Sequence, residues 1–137
     1  MSEPALVGSP LLHRSVGTRG NDFIVHENRD EAPGPGAPRR GVPLHVHRTE
    51  DEAWYILEGT LRFRCGEREF DVAPGSGVLL PRGTPHTFWN PGPGATRYLL
   101  IVGPQTEGLL EVLHGPSPPG PSDLRDLYAS FGVDLLD

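Results

Sequence analysis

The chain has 137 residues with twelve basic and 18 acidic side chains, a formal charge of −6; that length suits one domain, and the acidic balance argues against nucleic-acid or anionic-membrane partners, which attract basic patches. All twelve basic residues are arginines, so Schiff-base chemistry, which needs a lysine amine, is excluded. The single Cys65 cannot close an internal disulfide, no apolar run approaches the roughly 18 residues of a membrane span, and MSEPALVGSP lacks the pattern of a signal peptide, so a cytoplasmic location is expected.

Glycine (18) and proline (16) are abundant but concentrate in two loop-like stretches, 32–41 and 115–122, and elsewhere punctuate short apolar segments. Many short strands between Gly/Pro turns read as an all-β sandwich or barrel. In chain order, strands are expected over 11–16, 22–27, 42–47, 53–58, 60–65, 68–73, 77–81, 86–90 and 96–102. "EGT" and "CGERE" read as tight connections between antiparallel neighbours. Alternation is cleanest over 60–65, where Leu61, Phe63 and Cys65 share one face.

Helices are expected only late in the chain. Over 106–115, Leu109, Leu110 and Leu113 fall at helical spacing, with Thr106 as N-cap and Gly115 past the end. Over 122–132, Ser122 is the expected cap, Leu124, Leu127, Tyr128 and Phe131 form one stripe, and Gly132 follows the end. Both stripes are what any surface helix needs to pack on a sheet. Residues 1–40 read as N-terminal strands and a Pro/Gly-rich loop, 41–103 as the core, and 104–137 as a helical extension, all within one domain.

The chemistry concentrates in "GVPLHVHRTEDEAWYILEG". His45 and His47 are two apart on a strand, so both rings leave one face. Glu52 begins the next strand and can point inward beside them, and His86 follows the PRGTP turn. Three imidazoles and a carboxylate, without thiolate, suit Fe(II), Mn(II), Ni(II), Co(II) or Zn(II). Taken singly, such residues have ordinary explanations. His13, His26 and His114 read as solvated or hydrogen-bonded, and Glu50 and Asp51 as a solvated turn. Buried charge is costly unless paired or metal-bound, so four such groups on inward positions are hard to explain by packing.

These segments resemble the cupin superfamily, specifically its small single-domain members similar to quercetin-type dioxygenases. The first cupin motif, G(X)5HXH(X)3–4E(X)6G, is matched by His45, His47, Glu52 and Gly59, and departs at its leading glycine, where Arg39 stands and Gly41 is nearest. The second, G(X)5PXG(X)2H(X)3N, is matched at every position by Gly75, Pro81, Gly83, His86 and Asn90. The resemblance implies a small antiparallel jelly-roll barrel, with a divalent transition metal held by His45, His47, Glu52 and His86. It implies turn roles for Gly59, Gly75, Pro81 and Gly83, and a structural one for Asn90. Alternation then carries Trp54, Ile56 and Phe88 inward with the ligands, to form with Phe63 either an apolar substrate pocket over the ion or the ordinary packed core of a small barrel.

The expected activity is that of a metal-dependent oxidoreductase of dioxygenase type, acting on a small organic or aromatic molecule, with Glu52 taking the substrate proton if it loosens from the metal. The alternatives are a non-redox isomerase, cyclase or decarboxylase, in which Arg62, Arg64 or Arg97 could face a phosphate, and a non-enzymatic ligand-binding cupin. Fold alone does not separate them. The resemblance also implies a homodimer, with strands in 11–27 packing on a partner's sheet and hiding an exposed edge.

Overall fold

The computed structural model describes residues 15–34, 42–117 and 119–136. His13, Arg39, Gly41 and most of the first expected strand lie outside them. The strands are β1 (Ser15–Val16), β2 (Ile24–Asp30), β3 (His45–His47), β4 (Glu52–Glu58), β5 (Leu61–Cys65), β6 (Arg68–Val72), β7 (Gly77–Leu80), β8 (His86–Trp89), β9 (Thr96–Val102) and β10 (Val133–Leu135). Two helices, α1 (Pro104–Leu113) and α2 (Leu124–Ser130), lie between β9 and β10. No helix among the described residues is long and apolar enough to cross a membrane.

The strands form two antiparallel five-stranded sheets, ordered β1-β2-β9-β4-β7 and β10-β3-β8-β5-β6. No strand pairing among the described residues joins the two sheets into the continuous barrel expected from the sequence. Their inward faces share one core. The first sheet contributes Ile24, Trp54, Ile56, Tyr98, Leu100 and Val102, and the second Leu61, Phe63 and Val72. Period-two alternation produces this division. Along β9, Thr96, Tyr98, Leu100 and Val102 are buried while Arg97, Leu99 and Ile101 are less so.

The CGERE turn is the hairpin expected, joining β5 to β6 with Phe63 opposite Phe70. The EGT turn is not. It carries the chain from β4 in one sheet to β5 in the other. Gly59 makes this crossover possible. Its φ of +75° is in the left-handed region, and a Cβ there would lie 2.4 Å from the Ala95 carbonyl oxygen.

Both helix caps differ from expectation. Helix α1 begins three residues early, with Gly103 rather than Thr106 as N-cap and Pro104 in its first turn, where a missing N–H costs no hydrogen bond. Thr106 is therefore inside the helix. Helix α2 is preceded by a 3₁₀ turn over Pro121–Asp123, which moves its cap from Ser122 to Asp123. Leu109 of α1, Tyr128 of α2 and Val133 and Leu135 of β10 form a second apolar cluster. Strand β10, too short at three residues to show periodicity, pairs directly with β3, placing Val133 opposite His47 and Leu135 opposite His45.

Candidate metal centre

His45 and His47 occupy alternate positions of β3, and both are buried. His86 opens β8, the neighbouring strand, directly opposite His45. The PRGTP turn determines that register. Gly83 has φ +82°, the Thr84 N–H donates to the Pro81 carbonyl at 3.2 Å, and the Gly83 N–H donates to the His47 carbonyl at 2.8 Å. A glycine at the third turn position of this kind is what a type II turn requires. Glu52 arrives from the other sheet, as the first residue of β4.

One ligand atom from each of His45, His47, Glu52 and His86 lies within 4.8 Å of the others, and all four residues are buried. The ring centroids of His45 and His86 are 4.4 Å apart, and those of His47 and His86 5.5 Å. Glu52 Oε1 lies against His47 Nε2 and 3.8 Å from His86 Nε2.

The donor set fits a metal ion by a hydrogen-bond argument. His45 Nδ1 is 2.7 Å from the Pro43 carbonyl oxygen, and His86 Nδ1 is 2.9 Å from that of Thr84. A carbonyl only accepts, so each Nδ1 carries the proton and each Nε2 keeps a lone pair. The buried Nε2 atom of His47 faces the Glu52 carboxylate, and that of His86 makes no hydrogen bond among the described residues. Buried polar atoms are rarely left so. An imidazole whose far nitrogen donates to a carbonyl is how metal-binding histidines are oriented.

Charge also favours ligand forms. Burial, followed by the adjacent His86 ring, pushes the His45 imidazole down to about 4. Burial likewise lowers His86. For Glu52, burial favours the neutral acid, but contact with His47 and the other two imidazoles outweighs it and holds the carboxyl below its usual value. Neutral imidazoles and an ionised carboxylate are the forms that bind transition metals.

Above this floor opens a cavity of about 480 Å³, lined by His45, His47 and Glu52. Its walls include Phe88, Tyr98, Leu100, Leu109, Leu110 and Tyr128. Of the four expected pocket residues, Phe88 lines the cavity. Ile56 and Phe63 are fully buried in the core beneath it, and Trp54 packs edge-on to His86 at 5.8 Å without reaching the cavity. Tyr98 and Leu100 are marked by the alternation of β9. The leucines of α1 form a visible stripe, but a stripe does not say that it faces a cavity.

The remaining acids of the EDE run stand in a loop, Asp51 exposed as expected and Glu50 half-buried, and both have partners there. Asp51 accepts from the backbone N–H of Arg82 at 2.9 Å and from its Nε at 3.1 Å, and this guanidinium holds the Asp51 carboxyl below its usual value. Glu50 accepts from the backbone amides of Gln105 and Thr106 at 2.9 and 2.8 Å, capping α1 from a distant loop. His26 is hydrogen-bonded, with Nε2 2.7 Å from Glu107 Oε1.

Comparison with known proteins agrees with this geometry. Residues 36–102 match the family described as "Cupin domain". The chain is similar to "Oxidoreductase iacF" of Pestalotiopsis fici, 34% identical over 102 residues that cover 74% of this chain and 48% of the relative. The chain thus spans about half the length of that curated relative. Among solved structures it is similar to TT1209 from Thermus thermophilus, with 28% identity, a TM-score of 0.51, and coverage of 61% of this chain and 73% of the other. It shares its fold with a sugar phosphate isomerase from a cupin superfamily of Silicibacter pomeroyi, with 22% identity, a TM-score of 0.53, and coverage of 65% and 57%. With both HXH…E and PXG…H…N segments folded around one buried cluster, residues 36–102 form a small domain of the cupin superfamily.

Proposed function

We propose that this cupin binds a divalent transition metal through His45, His47, Glu52 and His86 and acts as an oxidoreductase of dioxygenase type on a small, largely apolar molecule. One observation carries the reading: a buried cluster of three imidazoles and an ionised carboxylate, with the His86 Nε2 atom left without a hydrogen bond, lies at the base of an apolar-walled cavity that His45, His47 and Glu52 line. The oxidoreductase name of the fungal relative supports the redox class. A bound ion would supply Lewis acidity and a template for O2. The chain's own residues do the rest. Phe88, Tyr98 and the α1 leucines exclude water and hold an apolar substrate over the floor, and Glu52, ionised and lining the cavity, receives the substrate proton.

The cavity is open above its floor, and Trp54 and Phe63 do not fill it, which favours turnover over passive ligand storage. A sugar phosphate finds little here. Among the described residues that line the cavity the one arginine is Arg29, paired to Glu31 at 3.0 Å, beside Asp30. Arg62 pairs with Asp71, and Arg97 with Glu27 and Glu58. None of Arg62, Arg64 or Arg97 lines the cavity.

Elemental analysis tests the metal. Wild-type protein should carry about one ion per chain, and His86→Ala and Glu52→Ala should lose it. A metal-free wild type, or full retention by both variants, refutes the site. Anaerobic assay of the loaded protein tests the class, since turnover that persists without O2 is incompatible with a dioxygenase.

A further inference from the structure

His45 and His86 are oriented by carbonyls two residues earlier in their own segments, whereas His47 is oriented from a distance. Its Nδ1 lies 3.2 Å from Thr106 Oγ1 on α1, a buried contact spanning 59 residues of sequence. The same hydroxyl donates to Glu50 Oε1 at 2.8 Å. A hydroxyl has one proton, so with that proton on Glu50 it can only accept from His47. The geometry points to Thr106 and Glu50 as positioning residues for the metal centre. They form a chain from His47 Nδ1–H to the Thr106 hydroxyl to the Glu50 carboxylate, and this keeps the lone pair of His47 on Nε2, facing the site.

Two further observations support this role. The Glu50 carboxylate already spans the amides of Gln105 and Thr106, so it is fixed at both oxygens before His47 is considered. The α1 N-cap, Gly103, leaves room for it, because a Cβ at that position would lie 2.4 Å from Glu50 Oε2. The anchor that orients His47 therefore also seats the helix whose Leu109, Leu110 and Leu113 wall the cavity. His26 and Glu107 latch the same helical turn to β2. Ligand and wall share one attachment point.

The inference rests on the metal reading proposed above, and one experiment separates the two. Zn²⁺ affinity is measured for chelator-stripped protein by competition with a chromophoric chelator, alongside the thermal midpoint of each stripped protein. Thr106→Val keeps the shape and the backbone cap but removes the hydroxyl, and should bind Zn²⁺ about 10–100-fold more weakly, the usual effect of losing a hydrogen-bond partner of a metal-bound histidine. Thr106→Ser restores the hydroxyl and should bind within about threefold of wild type. Wild-type affinity in Thr106→Val overturns the assignment. So does a Thr106→Ser variant as weak as the valine variant, because shape rather than the hydroxyl would then matter. Should Thr106→Val fail to fold, Glu50→Gln takes its place. It keeps an acceptor for the helix amides without the charge and should weaken Zn²⁺ by several-fold, and wild-type affinity there overturns the assignment. A wild type that takes up no Zn²⁺ refutes the metal reading itself, and this inference with it.

Discussion

His45 and His86 face each other across the β3–β8 ladder, with ring centroids 4.4 Å apart. Two buried imidazoles this close cannot both be protonated at modest cost, and the protein keeps them neutral. Burial and the His86 ring push His45 down from 6.5 to about 4. The sign of the pH dependence follows. Between these values the unfolded chain binds the proton and the folded one does not, so acidification favours unfolding. Stability of the chelator-stripped protein should be fully present above pH 6.5 and decline as pH falls toward 4, by at most about 3 kcal/mol from this group. Urea unfolding across that range checks it. His45→Asn should show a shallower decline, and an equal slope in both proteins would remove the assignment.

Phe63 and Phe88 separate core from cavity. Phe63 is fully buried, stacked 5.7 Å from Phe88 and 5.8 Å from Phe70, and meets Trp54 edge-on at 5.1 Å. Phe63→Ala should cost about 3–5 kcal/mol, because a closed core cannot collapse around the space left. Phe88 borders an existing cavity and is only partly buried, so Phe88→Ala should cost less while enlarging the space above the metal floor. Chemical denaturation of both variants measures the difference. Equal losses would place Phe88 in the core with Phe63.

The metal floor is legible in the sequence because its signals are local. His45 and His47 share a face by period two, and PRGTP encodes the turn that presents His86 opposite them. The walls are not legible, because they depend on where distant elements dock. Leu109, Leu110 and Leu113 announce an apolar helix face but not that it overlooks β3. Glu50 looks like part of a solvated acid run, since its partners are 55 and 56 residues away. Trp54 and Ile56 follow Glu52 inward as alternation requires, yet inward leads to the core for them and to the site for Glu52. Sheet closure is similarly non-local. The EGT turn resembles a hairpin in composition, and its crossover between sheets follows from contact with Ala95 and Thr96, which sequence spacing does not show.

Asn90 closes the second motif, and its hydrogen bonds account for it. Its Nδ2 donates to the carbonyls of Gly94, Asp30 and Glu31 at 2.9, 3.2 and 3.2 Å, and its Oδ1 accepts from the Gly92 N–H at 2.8 Å. One amide thus ties the end of β2 to the loop before β9. Asn90→Ala should destabilise by about 1–2 kcal/mol, since it removes these bonds, of which those to the Asp30 carbonyl and from the Gly92 N–H are partly buried. Asn90→Asp should recover little, because a carboxylate donates nothing to the three carbonyls. Thermal unfolding of both variants decides this. Full stability in Asn90→Asp would mean that the single accepted bond is what matters.

Gly59 and Gly66 distinguish a crossover glycine from a hairpin glycine. Both have positive φ, +75° and +59°, so either substitution by alanine carries the left-handed penalty of about 1–2 kcal/mol. Their surroundings differ. A Cβ on Gly66 meets nothing within 4 Å, whereas one on Gly59 would come within 2.4 Å of the Ala95 carbonyl oxygen and 2.9 Å of Thr96 Cα. Those neighbours are backbone at the start of β9, so they yield only if the strand moves. Thr96 Oγ1 also donates to the Thr60 carbonyl at 2.8 Å, joining the same turn to the same strand. Gly59→Ala should therefore cost clearly more than Gly66→Ala, about 3 kcal/mol or more against roughly 1. Because β9 pairs with β4 along its length, the strain should also reach Glu52 and lower metal content in Gly59→Ala but not in Gly66→Ala. Equal thermal midpoints for the two variants would show that the turn at Gly59 can relax without β9, and would separate the crossover from the integrity of the metal floor.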